Sequence, residues 1–305
     1  MRRRRFFQIT ALSALGLSYR DLFSSKNHNA FHQWEGYVLG APGRIVLENT
    51  YPCDFEQVFS NCLHEVQRLE KLFSLYLEDS DLNRLNRFGF LDNPSADWIE
   101  LLESVDWVHN HTNGLFDPTV QVIWKNRLHG QPVPDESLPM GWKSVNFSSQ
   151  SIHFAKEGMQ TTFNGIAQGF ITDKVVTLLR EVGFKSVLVE LGETYGLGAR
   201  GVQQPWRVGI KDPYDQNQLD LTVTLQNQAL ATTHQWGSTI GESGRDSHLI
   251  DPRLAQAEAC WEQVSVRAPT ATQADGLATA LSFATQEQID QITAENPVIR
   301  TWNFS

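Results

Sequence analysis

At 305 residues the chain can form one large α/β unit or two lobes around a cleft. Its 41% hydrophobic and 20% charged content excludes disordered, collagen-like and coiled-coil classes, and it lacks the run of about 18 apolar residues that a membrane-spanning helix requires. The formal charge of −10 becomes −14 without Arg2 to Arg5, so the body is a poor non-specific nucleic-acid binder and a phosphate-bearing substrate would need a local cation.

The chain opens on Arg2 to Arg5 and an apolar stretch to Leu17, the layout of an export signal. Arg3-Arg4-Arg5-Phe6-Phe7-Gln8 also fits the twin-arginine pattern. Residues 1–20 are read as that signal, placing the protein in the periplasm or on the outer face of the cytoplasmic membrane. No small-x-small cleavage site follows, so an uncleaved leader could act as a tether. Residues 21–36 are expected to be irregular. Tyr37 to Leu47 reads as a hairpin turning at Pro42-Gly43.

Asp54 opens a helix with Val58, Cys62, Val66, Leu69 and Phe73 on one face. A second helix starts near Ala96 and stops at Asn113-Gly114. Residues 126–145 are expected to be loop, and 144–154 two short strands. A helix from about Gly165 to Glu181, ended by Gly183, precedes strands at 186–190, 206–210, 219–225 and 263–267. A helix over 271–284 and a strand over 297–304 close the chain. Irregular alternation of this kind predicts an α+β fold rather than an evenly wound parallel sheet. The cysteines, Cys53, Cys62 and Cys260, form no C-x-x-C and permit at most one disulfide, and Cys62 lies on an apolar helix face.

Five stretches could carry chemistry. Asp275 and Thr279 lie one helical turn apart among small residues, and a carboxylate with a hydroxyl makes hard oxygen ligands for Mg²⁺. The same spacing also fits an acid near a helix start with a threonine bonded to the preceding turn. Thr162-Phe-Asn-Gly165-Ile-Ala-Gln168-Gly169 is a glycine-bearing loop entering a helix, suited to phosphate, or simply a close helix contact. His248 in Asp246-Ser-His-Leu-Ile-Asp251-Pro-Arg253 could act as acid or base, or cap a turn. Asp117, after Leu115-Phe116, fits a turn cap. Tyr76 could stack on a ring or end a helix in the core.

Together and in this order these pieces resemble one family, the FAD:protein FMN transferases, also called ApbE. The resemblance spans roughly residues 37–290 and rests on Phe73 to Asn86, Asn113 to Thr119, Asn164 to Gly169, Trp206 to Pro213, Ala229 to Thr232, Ser247 to Arg253, and Ala268 through Thr279. It implies one transferase domain over 37–305, with mixed and antiparallel sheets and packed helices around a central flavin cleft. The implied reaction is Mg²⁺-dependent transfer of FMN from FAD, as substrate, to a Thr or Ser hydroxyl of an acceptor protein, releasing AMP. By matching motifs, Gly165, Asp275 and Thr279 would hold Mg²⁺, and His248 would be the base. Leu39, Tyr76, Leu115, Phe116, Asp117, Thr162, Gln168, Leu249 and Ile250 would line the flavin and adenine pockets. FAD and the acceptor would be the partners, with no nucleic acid and no membrane span beyond a possible signal anchor.

The sequence departs from the family pattern in places. Where the family usually reads Asp-Leu-Gly-Gly-Ile-Ala-Lys-Gly, Thr162 replaces the Asp and Gln168 the Lys. The usual Gly-Gly-Asp after a strand reads Gly192-Glu193-Thr194, the Met-Gly-Thr start reads Leu39-Gly40-Ala41, and the Thr-Gly after Asp-Pro-Arg reads Leu254-Ala255. The metal pair and His248 are intact. Two alternatives stand beside the transferase: a Mg²⁺-dependent FAD pyrophosphatase giving FMN and AMP, and a non-catalytic exported flavin-binding protein.

Overall fold

The structure, a computed structural model, describes residues 31–49, 53–129, 131, 138–201, 203–215, 218–237, 239–240, 246–254 and 259–305. The export signal over 1–20 and most of the segment expected to be irregular lie outside those residues. No helix among the described residues is long and apolar enough to cross a membrane.

The fold is α+β, as expected. Its centre is a seven-stranded antiparallel sheet. Its strands, in spatial order, are β1 (Phe31–Val38), β2 (Ala41–Glu48), β6 (Val187–Glu190), β7 (Thr194–Leu197), β10 (Gln228–His234), β13 (Gln263–Ala268) and β14 (Arg300–Phe304). Alternation along the strands covers both faces. Ile45, Leu47, Val187, Val189, Ala229, Ala231, Val264 and Val266 join the main core, whereas Val46, Leu188 and Leu230 pack with Trp206, Ile210 and Val223 in a smaller one. That second face is covered by the hairpin of β8 (Trp206–Lys211) and β9 (Leu219–Leu225). On the register pair Arg44–Glu190 an ion pair joins β2 to β6.

Helices fill the first face. α1 (Phe55–Phe73) is capped by Asp54, whose carboxylate accepts the Gln57 N–H at 3.1 Å, and its buried stripe is the expected one. α3 (Ala96–His111) ends before Asn113 and Gly114, both in the left-handed region. α5 (Ala167–Val182) stops at Gly183, φ +108°. α6 (Ala271–Leu281) packs on α5, α3, β10 and β13. α2 (Asp81–Phe88), with Ser80 as its cap, and α7 (Gln286–Glu295), with a Thr285–Gln288 capping box, were not expected. Neither were β7, β10 and the short β3 (Phe90–Asp92). β3 pairs with β5 (Ser151–Phe154), the partner of β4 (Val145–Phe147). A tight turn at Pro118–Val120 leads into α4 (Gln121–Leu128), so the expected loop from 126 begins as helix. The short pair β11 (Thr239–Ile240) and β12 (Asp246–Ser247) lies beside the main sheet.

Two further expectations are corrected. Residues 31–36 are strand, not irregular, because they pair in register with 43–48 of β2. The hairpin turns at Leu39-Gly40, not at Pro42-Gly43, with φ of +50° and +77°, the two positive values that a two-residue hairpin turn favours. Gly43 instead serves a close approach: a Cβ there would lie 2.7 Å from Val38 Cγ2. The three cysteines are free, and Cys62 is core, as expected.

Candidate active site

The site grows from the contact of α5 with α6. Gly169 lies in the first turn of α5, where backbone N–H groups have no partner inside the helix. The Asp275 carboxylate, arriving from α6, accepts the Gly169 N–H at 3.0 Å. Only glycine permits this approach, since a Cβ at 169 would sit 2.2 Å from the Ala271 carbonyl oxygen. One turn along α6, the Thr279 hydroxyl donates to the Gly165 carbonyl at 3.3 Å, and a Cβ on Gly165 would lie 2.7 Å from that hydroxyl. The sequence separation of 114 residues is thus closed to a direct contact between two of the predicted metal donors, with Asp275 on the preceding turn.

Burial sets the electrostatics. Asp275 is 5% exposed, and desolvation, with a contribution from the Asp173 charge, pushes its carboxyl up to about 7 despite the Gly169 N–H. Glu193 lies in the turn between β6 and β7. It is 3% exposed, and burial and the nearby Asp275 charge raise it well above the usual range, while the Thr232 N–H opposes the rise. Its Oε2 has no hydrogen-bond partner, and neither does Oε1 of Gln168, which is 7% exposed. The Gln168 amide packs on Gly192 (φ +104°), where a Cβ would come within 2.8 Å of it.

The other predicted residues sit around this contact. The Tyr76 hydroxyl bonds the Asn164 side chain, while its residue stays 41% exposed. Asn86 of α2 bonds both the N–H (2.7 Å) and the carbonyl (2.8 Å) of Thr161, which explains why the Phe73–Asn86 stretch travels with the 162–169 loop. The Thr162 N–H donates to Pro118 O at 2.9 Å, and its hydroxyl accepts the Asn164 N–H. Leu39, Leu115, Phe116 and Leu249 are buried in the main core, and Ile250 is buried beside Leu249. Asp117 is spent on structure, accepting from the Thr119 N–H (2.9 Å), the Thr119 hydroxyl (2.6 Å) and the Trp142 N–H (2.9 Å). Half-buried His248 stands on the loop after β12, which Ser247 ties to the Gln235 carbonyl (2.8 Å) and the Asp251–Arg253 pair (2.6 Å) braces.

Among the described residues no three His, Cys, Asp or Glu side chains gather into a ready cage. The donors here are instead a carbonyl, a hydroxyl and one carboxylate. That set of hard oxygens fits Mg²⁺ and leaves coordination places for a ligand's own oxygens. Two partnerless buried oxygens and a buried acid that no described cationic side chain pairs with point the same way. A groove of about 410 Å³ between α3, α5 and the start of α6, lined by Trp107, Arg180 and Tyr195 among others, contains none of the predicted residues.

A helix-covered antiparallel sheet of this kind is also the fold of solved flavin transferases. The apo flavinyl transferase ApbE of Pseudomonas stutzeri matches with a TM-score of 0.76 at 23% identity, over 90% of this chain and 95% of that one. The ApbE protein of Thermotoga maritima gives 0.78 at 20% identity, over 90% and 94%. At the sequence level, the profile of the ApbE family covers residues 40–301, and the chain belongs to that family. An FAD:protein FMN transferase of Klebsiella pneumoniae is 31% identical over 86% of this chain and 81% of its own length. One from Treponema pallidum is 28% identical over 85% and 80%.

Proposed function

We propose that this protein is an FAD:protein FMN transferase, which cuts FAD at its diphosphate and passes FMN to a Thr or Ser hydroxyl of an acceptor protein. The carrying observation is the Thr279–Gly165 contact beneath buried Asp275 at the head of α5. Gly165, Asp275 and Thr279 would hold Mg²⁺. When bound, the ion offsets diphosphate charge and polarises the phosphorus–oxygen bonds.

The chain's own residues do the rest. Tyr76, half-exposed and steadied by Asn164, offers a ring face to an aromatic ligand. Leu39, Leu115, Phe116, Leu249 and Ile250 supply apolar surface, and Thr162 and Gln168 the polar contacts. Asp117 keeps the 115–119 turn in shape. His248 takes the acceptor's hydroxyl proton on an imidazole nitrogen. The hydroxyl oxygen then bonds to the FMN phosphorus, and the bond from that phosphorus to the bridging oxygen breaks. That oxygen leaves with AMP.

Incubation with FAD, Mg²⁺ and a candidate acceptor tests this reading. Mass spectrometry showing FMN covalently on the acceptor supports it. Free FMN plus AMP would mean a pyrophosphatase, and unchanged bound FAD a flavin-binding protein. We also infer export from the arginine-rich leader. Replacing Arg3 and Arg4 by lysine in the full chain should then leave the protein in the cytoplasm on fractionation.

A further inference from the structure

Around Asp275 the supply of negative charge and of lone pairs exceeds what the described protein groups satisfy. Native structures rarely leave buried polar atoms without partners, yet Glu193 Oε2 and Gln168 Oε1 are both buried and partnerless. Glu193 is close enough to Asp275 for the two charges to oppose each other. The ion pairs of the described residues lie elsewhere, at Arg44, Arg68, Arg84, Lys174 and Arg253. Two buried carboxylates with no cation are costly, whereas a single dication neutralises both.

The local backbone holds this arrangement in place. The turn closes with the Leu191 N–H donating to the Glu193 carbonyl at 3.1 Å. The Thr232 N–H fixes the Glu193 carboxylate. Gly192, at φ +104°, leaves room for the Gln168 amide, which a Cβ there would approach to 2.8 Å.

We propose that Glu193, held beside Asp275 by the Thr232 N–H, supplies the second negative charge of the cation site, with the Gln168 carbonyl oxygen as a neutral donor next to it. This rests on the cation reading above and extends the donor set beyond Gly165, Asp275 and Thr279. The sequence hides it because Glu193 is brought to Asp275 only by the sheet.

The test is Mn²⁺ binding to the FAD-free protein, followed by electron paramagnetic resonance, with melting temperature read alongside. Glu193→Gln keeps the shape and should weaken Mn²⁺ binding by about 10- to 100-fold, with a cation-free melting temperature at or above that of the parent. Gln168→Leu, which removes the carbonyl oxygen at similar size, should also weaken Mn²⁺ binding. Mn²⁺ affinity within twofold of the parent in both variants would overturn the proposal. So would a lower melting temperature for Glu193→Gln, which would mark a purely structural acid. If Asp275→Asn abolishes binding while the other two variants bind normally, only the Glu193 assignment fails. If Asp275→Asn binds as the parent does, the cation reading itself fails.

Discussion

Half-buried Asp173 and buried Asp275 are both acids at the α5–α6 contact, and they are treated in opposite ways. Asp173 projects from α5 to the start of α6, where its carboxylate accepts the Ala271 N–H (2.8 Å), the Thr272 N–H (2.8 Å) and the Thr272 hydroxyl (2.6 Å). It caps the helix from a distance, and although burial raises its carboxyl, three donors oppose the rise. Asp275 receives one backbone N–H and faces another acid. Unequal hydrogen bonding separates the two: three donors satisfy Asp173, and one described donor meets Asp275, the acid that the proposed function assigns to the cation.

Substitutions should pull the two apart. Asp275→Asn is expected to have the largest effect, lowering FMN transfer by about 10³-fold or more through lost charge stabilisation, while raising the cation-free melting temperature; single-turnover assays and calorimetry check both. Asp173→Ala should do the reverse. It should cost about 2 to 3 kcal/mol of stability, a fall of roughly 5 °C or more, and leave Mn²⁺ affinity within a few-fold of the parent.

The pH response has a definite sign. The folded Asp275 carboxyl sits at about 7, above its unfolded value near 3.8, so the folded chain holds the proton more tightly. The contribution of Asp275 to cation-free stability is therefore fullest at low pH and is lost as pH rises through about 4 to 7. The shift of Glu193 adds to the same slope. Melting curves at several pH values should show this fall, partly flattened in Asp275→Asn, while cation affinity climbs over the same range. The smallest effect belongs to Thr279→Ser, which keeps the hydroxyl facing Gly165 and should change Mn²⁺ affinity by less than about fivefold, since methyl packing alone is lost.

Much of this arrangement was legible in the sequence where the signal was local. Asp54 and the stripe to Phe73 marked α1, Gly183 marked the end of α5, and Asp275 with Thr279 marked one face of α6. Pro42-Gly43 misled because Pro-Gly is a strong turn signal, whereas here Gly43 is demanded by Val38 across the hairpin and the turn falls at Leu39-Gly40. β10 was missed because Ala229, Leu230 and Ala231 are buried in succession, so alternation is faint. α2 is only eight residues long and polar, and it depends on Ser80 and on Asn86 reaching Thr161. Glu193 and Asp173 stayed hidden because what defines them, Thr232, Asp275 and the head of α6, is distant along the chain.

Those long separations carry a consequence for synthesis. Gly165 meets Thr279 across 114 residues, Gly169 meets Asp275 across 106, and Asp173 meets Ala271 across 98. A growing polypeptide lacks the second half of each clasp until the stretch through position 279 has left the ribosome. Under the proposed function, nascent molecules would thus be inert toward dinucleotides for most of translation, and the α5–α6 contact is among the last parts of the protein to come into being.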